Sequence, residues 1–218
     1  MLNLVDQIKW IFERLDKEEK QVRREIDLVC IGYSGKKHWM SYKKIFAQHE
    51  QLRDICMLGV YFGRDIAYMS NLMQMMQREY HIVGVDMFDD VPGADWEEEL
   101  KQEDLSWEEA GFGPAPQIDF ASRNLDKLGV HDNVELVKSS MQEYLSTTNK
   151  KFDFIYIDVA HDYETTVEAI KLARERLNPG GLLGGDDFSN KGTWGVAKAV
   201  KEYCPEHVVH YGWIWCSP

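Results

Sequence analysis

The chain has 218 residues, of which 44% are hydrophobic and 28% charged, and its formal net charge at pH 7 is -12. This composition predicts a soluble globular protein, and the negative charge argues against nucleic-acid and membrane-surface partners, because phosphate groups attract lysine and arginine. The cysteines have no metal-type spacing, and neither a secretory signal nor a bilayer-spanning apolar run is visible, so we expect a cytoplasmic protein.

The first fifty residues are predicted to form a helical extension, and residues 51–218 the main domain. Apolar residues between positions 4 and 15 recur at helical spacing with charged residues between them. This pattern predicts an amphipathic helix, which would pack against the main domain or support a homo-oligomer. Residues 26–31 are a strand or a helix end, and residues 39–52 are predicted to form another helix.

From residue 54 onward, apolar runs typical of buried strands alternate with helical segments. Such runs cover residues 55–58, 81–86, 134–137, 152–158 and 180–185, and residues 208–215 form a terminal strand or hairpin. The alternation predicts an α/β fold, a Rossmann-like three-layer sandwich with a central, mostly parallel sheet. The long segment 87–118 contains Trp96, Trp107 and Phe112, which favours a binding loop over a disordered one.

Acidic residues follow two strands that a single helix separates. Asp158 ends the first strand, and Asp186 with Asp187 ends the second. A crossover helix brings both strand ends to the same edge of a parallel sheet. Carboxylates that lie close together there repel one another, so a cation or bound protons must offset their negative charge. Oxygen ligands favour a hard cation such as Mg²⁺. His161 follows closely and is either a general base or a residue that caps the next helix.

Three further strand ends carry residues suited to a nucleoside. Gly59 and Gly63 bound a turn after the first core strand, and Asp86 ends the second, where a carboxylate can accept hydrogen bonds from a ribose diol. Ser140 and Met141 follow the third strand and could meet an adenine edge and face. Neither a dinucleotide fingerprint nor a phosphate-binding loop is present, which disfavours a nicotinamide oxidoreductase.

Together these motifs resemble the class I S-adenosylmethionine-dependent methyltransferases. The nearest likeness is to metal-dependent O-methyltransferases of the macrocin and sugar-modifying type. Residues 86–92 resemble the Asp-x-Phe-x-x-x-Pro stretch of these enzymes, and residues 158–166 resemble their Asp-Gly-Asp-x-Tyr-x-Ser-Thr stretch. Asn-Pro-Gly-Gly at 178–181 and Asp-Asp-Phe at 186–188 complete the likeness, which runs from about residue 54 to about residue 203.

The resemblance implies an enzyme that transfers a methyl group from S-adenosylmethionine to a hydroxyl of a small molecule, such as a sugar-bearing metabolite. It implies Asp158, Asp186 and Asp187 as ligands of Mg²⁺ or a similar divalent cation. Asp158 or His161 is then the expected catalytic base. The expected cofactor-binding residues lie at the strand ends, and they are Gly59, Tyr61, Gly63, Asp86, Met87, Ser140, Met141 and Asp158.

The sequence also departs from the family pattern. Met57 and Ser140 stand where acids are usual, and Val159 with Ala160 replaces a Gly-Asp pair. A catalytically silent binding or regulatory protein with a methyltransferase fold is therefore the alternative interpretation.

Overall fold

The computed structural model of the protein describes residues 15–88, 116–192 and 194–218. Most of the amphipathic helix predicted near the N-terminus and most of the aromatic loop predicted at 87–118 lie outside the described residues, with Trp96, Trp107 and Phe112 among them. Within the described ranges, no helix has the length and apolar character that a membrane crossing requires.

A seven-stranded sheet forms the centre of the described structure, with the strand order β3-β2-β1-β4-β5-β7-β6. The first five strands pair in parallel, whereas β7 pairs antiparallel with both β5 and β6. The mostly parallel sheet predicted from the sequence is thereby confirmed. The strands are β1 (Asp54–Leu58), β2 (His81–Asp86), β3 (Val134–Lys138), β4 (Phe152–Ile157), β5 (Leu177–Gly185), β6 (Val208–His210) and β7 (Ile214–Ser217).

Helices cover both faces of the sheet, as expected for a three-layer sandwich. The first four helices share a core with one face of the sheet, and the last three share a core with the other. The helices are α1 (Lys17–Val29), α2 (Lys36–Gln48), α3 (Arg64–Met75), α4 (Ile118–Lys127), α5 (Met141–Thr147), α6 (Tyr163–Arg174) and α7 (Val196–Tyr203).

The central strands are continuous apolar runs because both of their faces are buried. In β1, Ile55 and Met57 join the core beneath α1–α4, whereas Cys56 and Leu58 join the core beneath α5–α7. Successive side chains of a strand point to opposite faces, so one short run supplies both cores. All four cysteines, Cys30, Cys56, Cys204 and Cys216, are buried free thiols.

Helices α1 and α2 pack in the same core as α3 and the sheet. Asp16 and Glu19 form a reciprocal capping box at the start of α1. Glu19 is almost fully buried, and its carboxylate lies 2.6 Å from Lys43 Nζ on α2. Residues 26–31, predicted as a strand or a helix end, comprise the end of α1 and the start of the connection to α2.

Candidate functional site

The candidate site lies at the carboxyl edge of the sheet, between β1 and β4. The chain runs outward from β1 to β3 and then returns to the other side of β1 with β4, so the strand order reverses here. Ligands of open α/β sheets bind outside the carboxyl ends of the strands at such a switch point. Backbone hydrogen bonds continue past the strand ends, with Asp158 N donating to Leu58 O at 2.8 Å.

The glycine turn after β1 is shaped by the neighbouring strand. Gly59 has a φ of +93°, and a Cβ at this position would lie 1.7 Å from the carbonyl oxygen of Asp158. Only glycine fits, because a side chain would collide with the backbone that carries Asp158. Gly63, with a φ of +85°, precedes α3 as its N-cap. Gly59 therefore lets β1 approach β4 closely, whereas Gly63 begins α3 beside Leu125 of α4.

Asp86, predicted to bind a ribose, uses its carboxylate to hold the glycine turn. Its Oδ2 accepts the N–H groups of Val60 and Tyr61 at 2.7 and 2.8 Å, and its Oδ1 accepts the N–H of Phe88 at 2.9 Å. A carboxylate offers about four acceptor positions, so Oδ1 has capacity for one more donor, such as a ribose hydroxyl.

The other residues predicted to bind the cofactor surround this turn and the end of β3. Tyr61 has a left-handed backbone, with a φ of 54°, and its ring stacks on Tyr33 at a centroid distance of 6.0 Å. Met87 is 54% exposed, whereas Met141 is buried. The hydroxyl of Ser140 caps α5 by accepting the N–H of Glu143 at 3.1 Å.

Asp158, His161 and Asp187 form a cluster at the ends of β4 and β5. His161 Nε2 lies 2.7 Å from Asp187 Oδ2 and 3.8 Å from Asp158 Oδ1. One potential ligand atom from each residue lies within 4.8 Å of the others, and the side chains of Asp158 and His161 are partly accessible, whereas that of Asp187 is only 13% exposed. Two carboxylates and an imidazole at these separations fit a divalent cation, because oxygen and imidazole nitrogen are both common metal ligands.

The electrostatic environment of Asp158 opposes its ionisation. Burial raises the pKa of Asp158, His161 lowers it, and the charges of Asp186 and Asp187 raise it further, to about 7. A raised pKa suits a carboxylate that acts as a general base, and a bound cation would offset the negative charges that raise it.

Asp186 belongs to a different set of contacts. Its Oδ2 lies 2.8 Å from Nε2 of His38 on α2, and its Oδ1 accepts the N–H of Asp187 at 2.8 Å. Burial and the charge of Asp187 raise the pKa of Asp186, and His38 opposes this shift. Burial lowers the pKa of His38, whereas the charge of Asp186 and its hydrogen bond raise it. Because Nδ1 of His38 accepts the N–H of Gly35 at 3.0 Å, the ring in this geometry carries its proton on Nε2, which donates to Asp186.

A buried polar network extends below this pair. Asp65 at the start of α3 accepts hydrogen bonds from the hydroxyls of Ser34 and Tyr42, the latter at 2.7 Å. The rings of Tyr42 and Tyr156 pack edge to face at 5.3 Å. Burial raises the pKa of Tyr42 well above its ordinary value. Burial likewise raises the pKa of Tyr156, so both tyrosines are neutral.

Aromatic side chains form one wall beside the cluster. The ring centroid of Trp194 lies 4.7 Å from that of His161, and Trp213 lies 6.2 Å beyond Trp194. Lys37 Nζ is 6.0 Å from the Trp213 ring centroid. Neither His38 nor Trp194 was identified as a site residue from the sequence. Trp194 lies only seven residues after Asp187, and this short separation from the acidic pair was a signal present in the sequence.

Comparisons with known proteins agree that the chain contains a methyltransferase domain. A family profile described as a methyltransferase domain matches residues 56–188. A probable cobalt-precorrin-6B C(15)-methyltransferase of Saccharolobus solfataricus is 38% identical over 66 residues, which cover 30% of the chain and 32% of that protein. The match thus spans about a third of the length of this curated relative.

Solved structures share the fold at low sequence identity. The O-methyltransferase NovP has a TM-score of 0.66 and 16% identity, with 98% of this chain and 94% of that chain covered. An O-methyltransferase of Bacillus cereus in complex with S-adenosylhomocysteine has a TM-score of 0.53 and 17% identity, with coverages of 97% and 96%. TomG of Streptomyces achromogenes, in complex with S-adenosylmethionine, has a TM-score of 0.52 and 16% identity, with coverages of 99% and 96%. The chain therefore belongs to the methyltransferase-domain family, and its fold is that of the class I S-adenosylmethionine-dependent methyltransferases.

Proposed function

We propose that this chain is an O-methyltransferase that uses S-adenosylmethionine and a divalent cation to methylate a hydroxyl of a small molecule. The observation that carries the proposal is the meeting of two half-sites at one switch point. Gly59, Gly63 and Asp86 supply a nucleoside-type turn, and Asp158, His161 and Asp187 lie on the adjoining strand ends. The complexes of the B. cereus enzyme and TomG support the choice of cofactor.

The chain's own residues have distinct tasks in such a reaction. Asp86 fixes the turn and retains an acceptor position for a ribose hydroxyl. Asp158 and Asp187 would hold the cation, with Asp186 and His161 as candidates for a third protein ligand. A bound divalent cation supplies charge that lowers the pKa of a hydroxyl placed beside it. Asp158 or His161 would accept the proton of that hydroxyl.

The acceptor would lie against the wall formed by Trp194 and Trp213. Indole faces pack well on flat apolar surfaces, and Lys37 beside Trp213 would favour an anionic or strongly polar group nearby. Binding here would orient the acceptor hydroxyl toward the methyl donor, and such positioning contributes much of the rate enhancement in group transfer. A polar metabolite that carries a ring, whether aromatic or sugar, fits this description.

Calorimetry and methyl-transfer assays test the proposal together. We expect wild-type protein to bind S-adenosylmethionine and to methylate members of a panel of phenolic and sugar-bearing compounds when Mg²⁺ or Mn²⁺ is present. Asp187→Ala should retain cofactor binding but lose methyl transfer by about 100-fold or more, because the loss of a charged group at the reacting centre costs several kcal/mol. The control is Asp132→Ala, which removes an exposed acid before β3.

Two outcomes would contradict the proposal. Full activity of Asp187→Ala, or of wild-type protein in excess chelator, would exclude the metal-assisted reaction. Failure to bind S-adenosylmethionine with or without a divalent cation would instead favour a binding or regulatory role for the fold.

A further inference from the structure

The carboxylate of Asp186 is already engaged on both of its oxygen atoms. Oδ2 lies 2.8 Å from His38 Nε2, and Oδ1 accepts the backbone N–H of Asp187 at 2.8 Å. The Asp186 side chain is 9% exposed, compared with 28% for Asp158 and 13% for Asp187. Among the acids at these strand ends, Asp186 is therefore the least accessible to an ion that enters from solvent.

His161 occupies the position that a third ligand would need. Its Nε2 faces both Asp187 and Asp158, and it shares with them the group of atoms that lie within 4.8 Å of one another. A neutral imidazole nitrogen is a good ligand for divalent metals. We propose that the cation in this chain is bound by Asp158, His161 and Asp187, and that Asp186 is a positioning residue rather than a ligand.

The positioning role of Asp186 follows from the backbone that it holds. Asp187 has a φ of 54°, a left-handed conformation that is unfavourable for a side-chain-bearing residue. The hydrogen bond from Asp187 N to Asp186 Oδ1 stabilises this conformation, which lets the Asp187 carboxylate face His161. His38 in turn fixes Asp186, and the N–H of Gly35 fixes the His38 ring by donating to Nδ1 at 3.0 Å. A chain of contacts thus runs from the start of α2 to the ligand.

The proposed ligand set changes which cation the site prefers. Three carboxylates would favour Mg²⁺, whereas two carboxylates with an imidazole shift the preference toward Mn²⁺, Fe²⁺ and Co²⁺. The inference rests on the proposed function in one respect, namely that a cation binds at this edge. It goes beyond that function in naming the ligand that distinguishes this chain from an all-aspartate site.

Pulsed electron paramagnetic resonance of Mn²⁺ bound to the full chain tests the proposal without an activity assay. We expect wild-type protein to show coupling of Mn²⁺ to a directly bound ¹⁴N nucleus. This coupling should vanish in His161→Gln and persist in Asp186→Asn. His131→Gln, which changes a histidine whose side chain is 43% exposed in an ion pair with Asp126, is the matched control and should keep the coupling.

Competition titrations with Mg²⁺ supply a second measurement. His161→Gln should weaken Mn²⁺ binding by about 10-fold or more. Removing a residue that only hydrogen-bonds a metal ligand already lowers metal affinity by about that factor, and removing the ligand itself should lower it at least as much. The affinity for Mg²⁺ should fall less. Because Asp186→Asn alters a buried pair, its folding is checked by circular dichroism, and the wild-type and His161→Gln spectra remain decisive if it fails to fold.

The outcomes separate this inference from the proposed function. Binding of Mn²⁺ by wild-type protein without nitrogen coupling, or loss of Mn²⁺ binding in folded Asp186→Asn but not in His161→Gln, would overturn the ligand assignment alone. Absence of any Mn²⁺ or Mg²⁺ binding to the wild-type chain would overturn the metal-assisted function and the ligand assignment together.

Discussion

Each acid at the carboxyl edge of the sheet has different partners, and the partners determine what the acid can do. Asp86 receives backbone N–H groups from the glycine turn, and Asp186 faces His38. Asp158 and Asp187 instead face an imidazole that both can share with a cation. Identical side chains therefore have different partners: backbone N–H groups for Asp86, a histidine on α2 for Asp186, and, in the proposed site, a cation for Asp158 and Asp187.

Substitution of Gly59 tests whether the close approach of β1 to β4 requires a glycine at this position. Gly59→Ala combines a left-handed backbone with a Cβ that would lie 1.7 Å from the Asp158 carbonyl oxygen. We expect a loss of about 3 kcal/mol or more in the free energy of unfolding, because the backbone must move to relieve the overlap. Urea denaturation measures the loss.

Gly129→Ala is the matched control for this substitution. Gly129 also has a left-handed backbone, with a φ of +66°, but nothing lies within 4 Å of an added Cβ. Its substitution should cost only about 1 kcal/mol, the conformational penalty alone. Equal losses for the two variants would show that the approach of β1 to Asp158 is not what requires a glycine at position 59.

At the scale of elements, two arginines attach α1 and α2 to the rest of the fold. The Arg64 guanidinium donates to the carbonyl oxygens of Cys30, Gly32 and Ser34 at distances of 2.5 to 2.9 Å. Arg78 donates to the carbonyls of Phe46 and Leu52 at the end of α2. Both ends of α2 are thereby fixed, which places His38 against Asp186.

Loss of the Arg64 contacts should loosen the connection between α1 and α2. We expect Arg64→Met to lower the free energy of unfolding by about 2–3 kcal/mol, because several charged hydrogen bonds to partly buried carbonyls are lost. Amide hydrogen exchange should accelerate in residues 30–35. Arg123→Met, on the exposed face of α4, is the control and should change stability by no more than about 0.5 kcal/mol. Unchanged exchange in residues 30–35 of Arg64→Met would contradict the proposed attachment.

The central strands could be predicted closely because burial on both faces leaves a clear apolar signal. The strand predicted at 81–86 agrees with β2 at both ends, and of the strand or hairpin predicted at 208–215 the structure has the hairpin, β6 and β7. The start of β5 at Leu177 could not be foreseen, because Asn-Pro-Gly-Gly at 178–181 is typical of a turn. In the structure β5 passes through these residues with a shift in register between the pairs Phe152–Leu177 and Phe154–Leu182.

The contact between His38 and Asp186, which are far apart in the chain, could not be predicted from the sequence. The topology of β4, α6 and β5 sufficed to predict that Asp158 and Asp187 lie close together. His38, however, is 148 residues from Asp186 and lies on a helix whose sequence carries no catalytic motif. Whether Asp186 or Asp187 faces His38 depends on the backbone dihedral angles of these two aspartates, which cannot be predicted from the sequence. The assignment of ligands among the predicted residues stays a prediction.

At the scale of the whole molecule, two titratable groups with shifted pKa values make stability depend on pH in opposite directions. The pKa of Asp158 is raised to about 7, so its contribution to stability is full below about pH 4 and is lost as pH rises through 7. Burial lowers the pKa of His210 to about 4, so its contribution is full above about pH 6.5 and is lost as pH falls through 4.

Asp158→Asn isolates the first of these contributions. Measured in chelator, the variant should gain stability relative to wild type between pH 5 and pH 8, by about 2 kcal/mol, because it removes a carboxylate that is costly to ionise. Asp132→Asn, at an exposed acid, serves as control. A difference between Asp158→Asn and wild type that is constant with pH would contradict the raised pKa of Asp158.

A crystal structure with S-adenosylhomocysteine and Mn²⁺ tests the central claim most directly, because it locates both halves of the site at once. We expect the cofactor product to lie along the turn from Gly59 to Gly63 with its ribose at Asp86. The anomalous peak of Mn²⁺ should lie among Asp158, His161 and Asp187. A nucleoside bound elsewhere, or a Mn²⁺ peak remote from these strand ends, would contradict the account.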